Sequence, residues 1–199
     1  MKTLIQTCIL ALALSANAQG YVECLAEYNS PTAGSDDGTI GFAFKANQDL
    51  TVMELGVFAN IFETVGPIEV KVWDDAGDVK ASAIVTATSP QFNLTRYEIL
   101  ATPLSLLAQQ VYFIGAYLPQ LVGVNYVGPD FGGSCQVFSG VQYLGYATNS
   151  AAAKPFLVPG GEAIIPGAAN FRIVPEPALT SILALGAAAF LLARRARKA

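Results

Sequence analysis

Residues 68–85 read IEVKVWDDAGDVKASAIV. Ile68, Val70 and Val72 alternate with Glu69, Lys71 and Trp73. A period of two puts the first set on one face of a strand and the second on the other. Asp75-Ala76-Gly77-Asp78 follows, and Gly77 can take the positive φ of a tight turn. The run VKASAIV then returns. Two such runs about one short turn predict an antiparallel hairpin.

The same pattern extends in both directions. TIGFAFKA (39–46) sets Ile40, Phe42 and Phe44 on one face. LTVMELGVFA (50–59) sets Leu50, Val52, Glu54 and Gly56 on one side, and Met53, Leu55 and Val57 on the other. Asn47-Gln48-Asp49 joins these two runs. FNLTRYEIL (92–100) and QQVYFIGAY (109–117) read as further strands, and AANFRIV (168–174) as the closing one. Between Leu118 and Pro166 glycine, proline and alanine become frequent, which predicts long loops with short strands at CQVFSG (135–140) and VQYLGYA (141–147). No stretch from 21 to 174 carries a capped helical stripe. The expected fold is all-β: an antiparallel, jelly-roll-like β-sandwich.

The ends have a different grammar. Lys2, the apolar run Leu4 to Leu14 and Ala16-Asn17-Ala18 form a secretory signal peptide over 1–18, cut after Ala18 by signal peptidase so that the chain starts at Gln19. The body then occupies 19–174. It holds six basic and fourteen acidic residues, a net charge of −8. An acidic domain repels phosphate backbones, which argues against nucleic acid as a partner. At the far end, Pro175-Glu176-Pro177 stops the last strand, because proline lacks a ladder donor. The charge-free segment 178–193 would span about 24 Å as a helix, at 1.5 Å per residue. Snorkelling basic residues can extend that towards a ~30 Å hydrocarbon core. Arg194, Arg195, Arg197 and Lys198 supply a basic stop that stays cytoplasmic, so the body faces outward.

The order Val174-Pro175-Glu176-Pro177, apolar helix, Arg194-Arg195 resembles the PEP-CTERM sorting tag of Gram-negative bacteria over 175–199. The resemblance implies recognition by exosortase, a membrane peptidase, and cleavage near Pro175-Glu176-Pro177. It also implies an inner-membrane precursor, then the cell surface or extracellular matrix, with links to exopolysaccharide and biofilm. A second resemblance covers Thr39 to Tyr117. Its F-x-F, L-G-V, V-x-V-W-D and Y-x-x-G-A-Y strands look similar to the DUF4082-like β-sandwich of bacterial surface proteins, which implies no enzymatic activity.

Cys8 leaves with the signal peptide, so Cys24 and Cys135 remain. In an exported chain two cysteines are disulfide candidates, and the bridge would contribute ~3–5 kcal/mol. Two separate buried thiols are the alternative. The chain has no histidine, which removes Ser-His-Asp and Cys-His catalysis and the usual zinc sets. Carboxylates survive that exclusion: Glu54, Glu69, Asp74, Asp75, Glu98 and Asp130 are the residues a glycan hydrolase could use. Asp74, Asp75 and Asp78 cluster oxygen atoms that could hold calcium, although turn chemistry alone also explains them. No other cofactor is expected. Tyr112, Phe113, Tyr117, Tyr126, Phe131, Phe138, Tyr143 and Tyr146 crowd the second half. Such rings either fill a sandwich core or stack on sugar rings of an extracellular polysaccharide. The sequence therefore supports a non-enzymatic exported surface or matrix protein first, a carbohydrate-binding module second and a carboxylate-based glycan hydrolase third.

Overall fold

The computed structural model describes residues 22–27, 32–59, 66–127, 135–160, 165–166 and 169–174, all within a compact unit spanning Tyr21–Val174. The described residues form strands β1 (Val22–Glu23), β2 (Leu25–Glu27), β3 (Thr32–Ala46), β4 (Leu50–Phe58), β5 (Ile68–Asp74), β6 (Val79–Val85) and β7 (Gln91–Phe92). They continue through β8 (Thr95–Leu106), β9 (Val111–Val127), β10 (Cys135–Val137), β11 (Val141–Asn149), β12 (Phe156–Leu157), β13 (Ile165–Pro166) and β14 (Ala169–Val174).

One sheet has the order β1-β14-β4-β8-β7. A larger sheet has the order β12-β11-β3-β9-β5-β6, with β13 pairing β9, and β10 pairs β2 separately. Every pairing is antiparallel. The chain crosses between these two sheets from β3 to β4, β4 to β5, β6 to β7, β8 to β9 and β13 to β14.

Alternation explains the packing. Ile40, Phe42 and Phe44 of β3, Val70 and Val72 of β5, and Ile114 and Ala116 of β9 are buried together with Leu55, Val57, Phe171 and Ile173 of the other sheet. The rings of Phe44 and Phe171 meet across the layer with centroids 5.0 Å apart. Two sheets burying one shared apolar layer make a β-sandwich.

Two strands depart from the sequence reading. In β4, Val52 and Leu55 both enter the core, which strict alternation forbids. Against β14 the pairs Arg172–Glu54 and Ile173–Val52 are adjacent on β14 but leave Met53 as an extra residue on β4, which reverses the phase. A bulge has no period of its own, so alternation cannot reveal it. β9 continues to Val127, where loop was expected, because β3 starts at Thr32 and pairs with it from Tyr126 to Val111. Across these two strands glycine pairs with glycine, as in Gly41 with Gly115. Among the described residues no helix is long and apolar enough to cross a membrane. The signal segment 1–18 and the tail 175–199 lie outside the described residues.

Candidate functional site

The β5–β6 hairpin closes in a turn in which Asp74 and Asp75 are engaged by neighbours. Gly77 sits at φ +98°, which only glycine adopts without strain. Asp74 Oδ1 accepts the Asp78 amide at 2.9 Å, and the Asp74 carbonyl accepts from Gly77 at 3.1 Å. The Asp78 amide, with help from Lys80, holds the Asp74 carboxyl below its usual range despite some desolvation. Lys80 Nζ lies 3.5 Å from Asp74 Oδ2. Lys154 Nζ lies 3.5 Å from Asp75 Oδ1 and also donates to the Asp75 carbonyl. Asp74 is thus engaged by the Asp78 amide and Lys80, and Asp75 by Lys154, in the manner of turn chemistry.

Lys154 belongs to a segment folded over the larger sheet. Thr39 Oγ1 donates to the Ala151 carbonyl at 2.6 Å, and Asn149 Nδ2 donates to the Lys154 carbonyl at 2.8 Å. The Lys154 ammonium stands 4.1 Å from the Phe113 ring centroid. Phe113 and Trp73 form a small second cluster with Ala43 and Ala147. Beside the turn is an open recess of about 510 Å³, walled by Asp74, Asp75, Lys80, Ser105, Leu107 and Gln110. Its far wall is the turn before β9, where Gln109 holds a left-handed φ of +66°. That turn is pinned by Ala108 N–H to Asp49 Oδ1 at 2.7 Å and by Gln109 N–H to the Ala46 carbonyl at 2.7 Å. The recess presents carboxylate, ammonium, amide and hydroxyl groups and one exposed leucine.

The aromatic second half serves mostly as core. Tyr112 and Phe113 are buried, and Phe138, Tyr143 and Tyr146 pack against the core from partly buried positions. Tyr117 is half-buried. Tyr126 lies in β9 opposite Thr32, and Phe131 falls outside the described residues. Among the described residues the well-exposed rings are Phe92 and Phe156, neither of which the sequence singled out.

The proposed hydrolytic carboxylates are dispersed. Glu69 pairs with Lys71 at 2.8 Å, and Glu98 accepts the Ser89 hydroxyl at 2.8 Å. Glu54 binds Arg172 Nη1 at 2.7 Å. Asp130 falls outside the described residues. The most developed polar cluster is one the sequence did not announce. On the five-stranded sheet Glu23 of β1, Arg172 of β14 and Glu54 of β4 stand in one cross-strand row. Tyr97 Oη donates to Glu23 Oε1 and Asn93 Nδ2 donates to Glu23 Oε2, both at 2.7 Å. Arg172 lies 4.6 Å from the Phe92 centroid and 5.3 Å from that of Tyr97. Gly56 makes this possible, because a Cβ there would come within 2.5 Å of the Tyr97 ring. Asn93 supports it from a left-handed turn, at φ +50°. Burial raises the Tyr97 hydroxyl well above its ordinary value, and the Glu23 charge adds to that. A buried polar network of this kind ties β1, β14, β4 and β8 to one another. Each member is ordinary in sequence, and only the register brings them together.

Cys24 is buried at the bend between β1 and β2. Its amide donates to the Phe171 carbonyl at 2.8 Å, and its carbonyl accepts from Phe138 at 2.7 Å. Cys135 lies in β10 opposite Glu27, three positions along the ladder from Phe138. The signal-cleavage residues Ala16, Ala18 and Gln19 fall outside the described residues, as do Pro175, Glu176, Pro177 and the basic stop Arg194 to Lys198. Val174 is the last rung of β14. No protein-family model matches the chain, and no curated protein matches it.

Proposed function

We propose that the chain is a non-enzymatic exported protein of the cell surface or extracellular matrix, held briefly in the inner membrane by its tail and then cut by an exosortase-type peptidase. The observation that carries this reading is the order of the C-terminus. The compact β-body closes at Val174, and Pro175-Glu176-Pro177, an apolar segment and Arg194-Arg195 follow without a linker. Two features add support. Glu54, Glu69, Asp74, Asp75 and Glu98 are each engaged by a neighbour and are spread over β4, β5, the turn after it and β8, which suits a structural module better than a hydrolase. The repeated change of sheet is also compatible with jelly-roll-like winding, common among surface domains. Fractionation of the producing cell should recover the precursor in the inner membrane, with Lys198 shielded from external amine labels. A full-length chain soluble without detergent would contradict this.

A second reading, carbohydrate binding, is favoured by the recess beside the β5–β6 turn rather than by the aromatic second half. Its carboxylates are balanced by Lys80 and Lys154, so a neutral glycan suits it better than a polyanion. Co-sedimentation of the body with neutral and acidic polysaccharides tests this reading. Retention on neither would remove it.

A further inference from the structure

The body leaves no slack before its tail. β14 is an internal strand. Along one edge Ala169–Val174 pairs with Val57–Thr51 of β4, and along the other Arg172 and Ile173 pair with Glu23 and Val22 of β1. The Cys24 amide extends that second edge to the Phe171 carbonyl. Phe171 and Ile173 are fully buried, and Arg172 is tied to Glu54 at 2.7 Å. Val174 opposite Thr51 is the final rung, and Pro175 is the next residue.

Peptidases hold a substrate as an extended strand, through backbone hydrogen bonds and side-chain pockets on either side of the bond to be cut. For a cut near Pro175-Glu176-Pro177 the upstream residues are Arg172, Ile173 and Val174. At Arg172 and Ile173 both backbone edges are occupied by β1 and β4. The side chains are committed as well, one to the core and one to Glu54. One strand cannot sit in two sheets at once.

We propose that β14 acts as a brake on tail removal: the folded body withholds residues 172–174 from the processing peptidase, and cleavage waits for the end of this strand to peel from β1 and β4. This rests on the reading that the tail is cut. It makes the release rate a property of the body's last strand as well as of the tag. Loosening β14 should speed release, and moving the tag away from it should speed release further.

The test is a pulse-chase of the full-length precursor in the producing cell. The native chain is compared with one carrying a short Gly-Ser spacer between Val174 and Pro175, and with Ile173→Ala. The spacer lies beyond the last rung, so it leaves the sandwich intact. It should raise the cleavage rate on the order of tenfold, the equivalent of ~1.4 kcal/mol of strand opening. Ile173→Ala should raise it to a smaller extent. Equal rates for the native and spacer chains would overturn the brake while leaving the processing reading standing. A tail that stays uncut in all three chains would overturn both.

Discussion

Tyr97 shows how much rests on single atoms. Its ring lies over Gly56 and its hydroxyl reaches Glu23 two strands beyond. Tyr97→Phe removes that donor from a buried carboxylate and should cost about 1–3 kcal/mol in urea unfolding. The tyrosine also sets a pH dependence. Its folded-state pKa is raised, so it stabilises fully below the unfolded value of about 10 and progressively less as pH climbs beyond it. The native protein should therefore lose stability above about pH 10 more steeply than Tyr97→Phe, which has no proton to lose there. Matching alkaline slopes would count against the buried hydroxyl. Gly56→Ala drives a methyl into the ring and should cost about 1–3 kcal/mol, read by thermal unfolding. None of this was legible in the sequence. Glu23, Gly56 and Tyr97 lie far apart along the chain and meet only through the register of β1, β14, β4 and β8.

At the scale of elements the sequence was more informative. The β5–β6 hairpin could be read directly, because its alternation and its Asp-Gly turn are local signals. Gly77→Val should destabilise this hairpin by about 1–2 kcal/mol, since a β-branched side chain at φ +98° is strained. A neutral result in chemical denaturation would show that the turn tolerates a side chain. β4 was half legible: its existence follows from its apolar residues, but the bulge at Met53 opposite β14 reversed the faces. The far half of β9 was illegible, because its partner, the start of β3, is written in TAGSDDG, a stretch that resembles turn chemistry. The hairpin aspartates illustrate the same limit at a candidate site. Their spacing suggested oxygen ligands for calcium, while the nearby Lys154 comes from a segment 79 residues away.

At the scale of the whole molecule, the body is an acidic β-sandwich. The first and last described strands, β1 and β14, are neighbours, so both ends of the body leave one sheet side by side. Cys24 follows β1 directly and lies near the short β2–β10 pair, which carries Cys135. A bridge needs Cα atoms within about 7 Å. Non-reducing peptide mapping of the exported protein is expected to join Cys24 to Cys135. Two alkylatable thiols would remove the bridge.

The most direct measurement is the intact mass of the protein recovered outside the producing cell. The expected mass is that of a chain that starts at Gln19 and ends close to Pro175-Glu176-Pro177, with the whole β-body retained. An exported chain whose mass still includes Arg194 to Ala199 would contradict it.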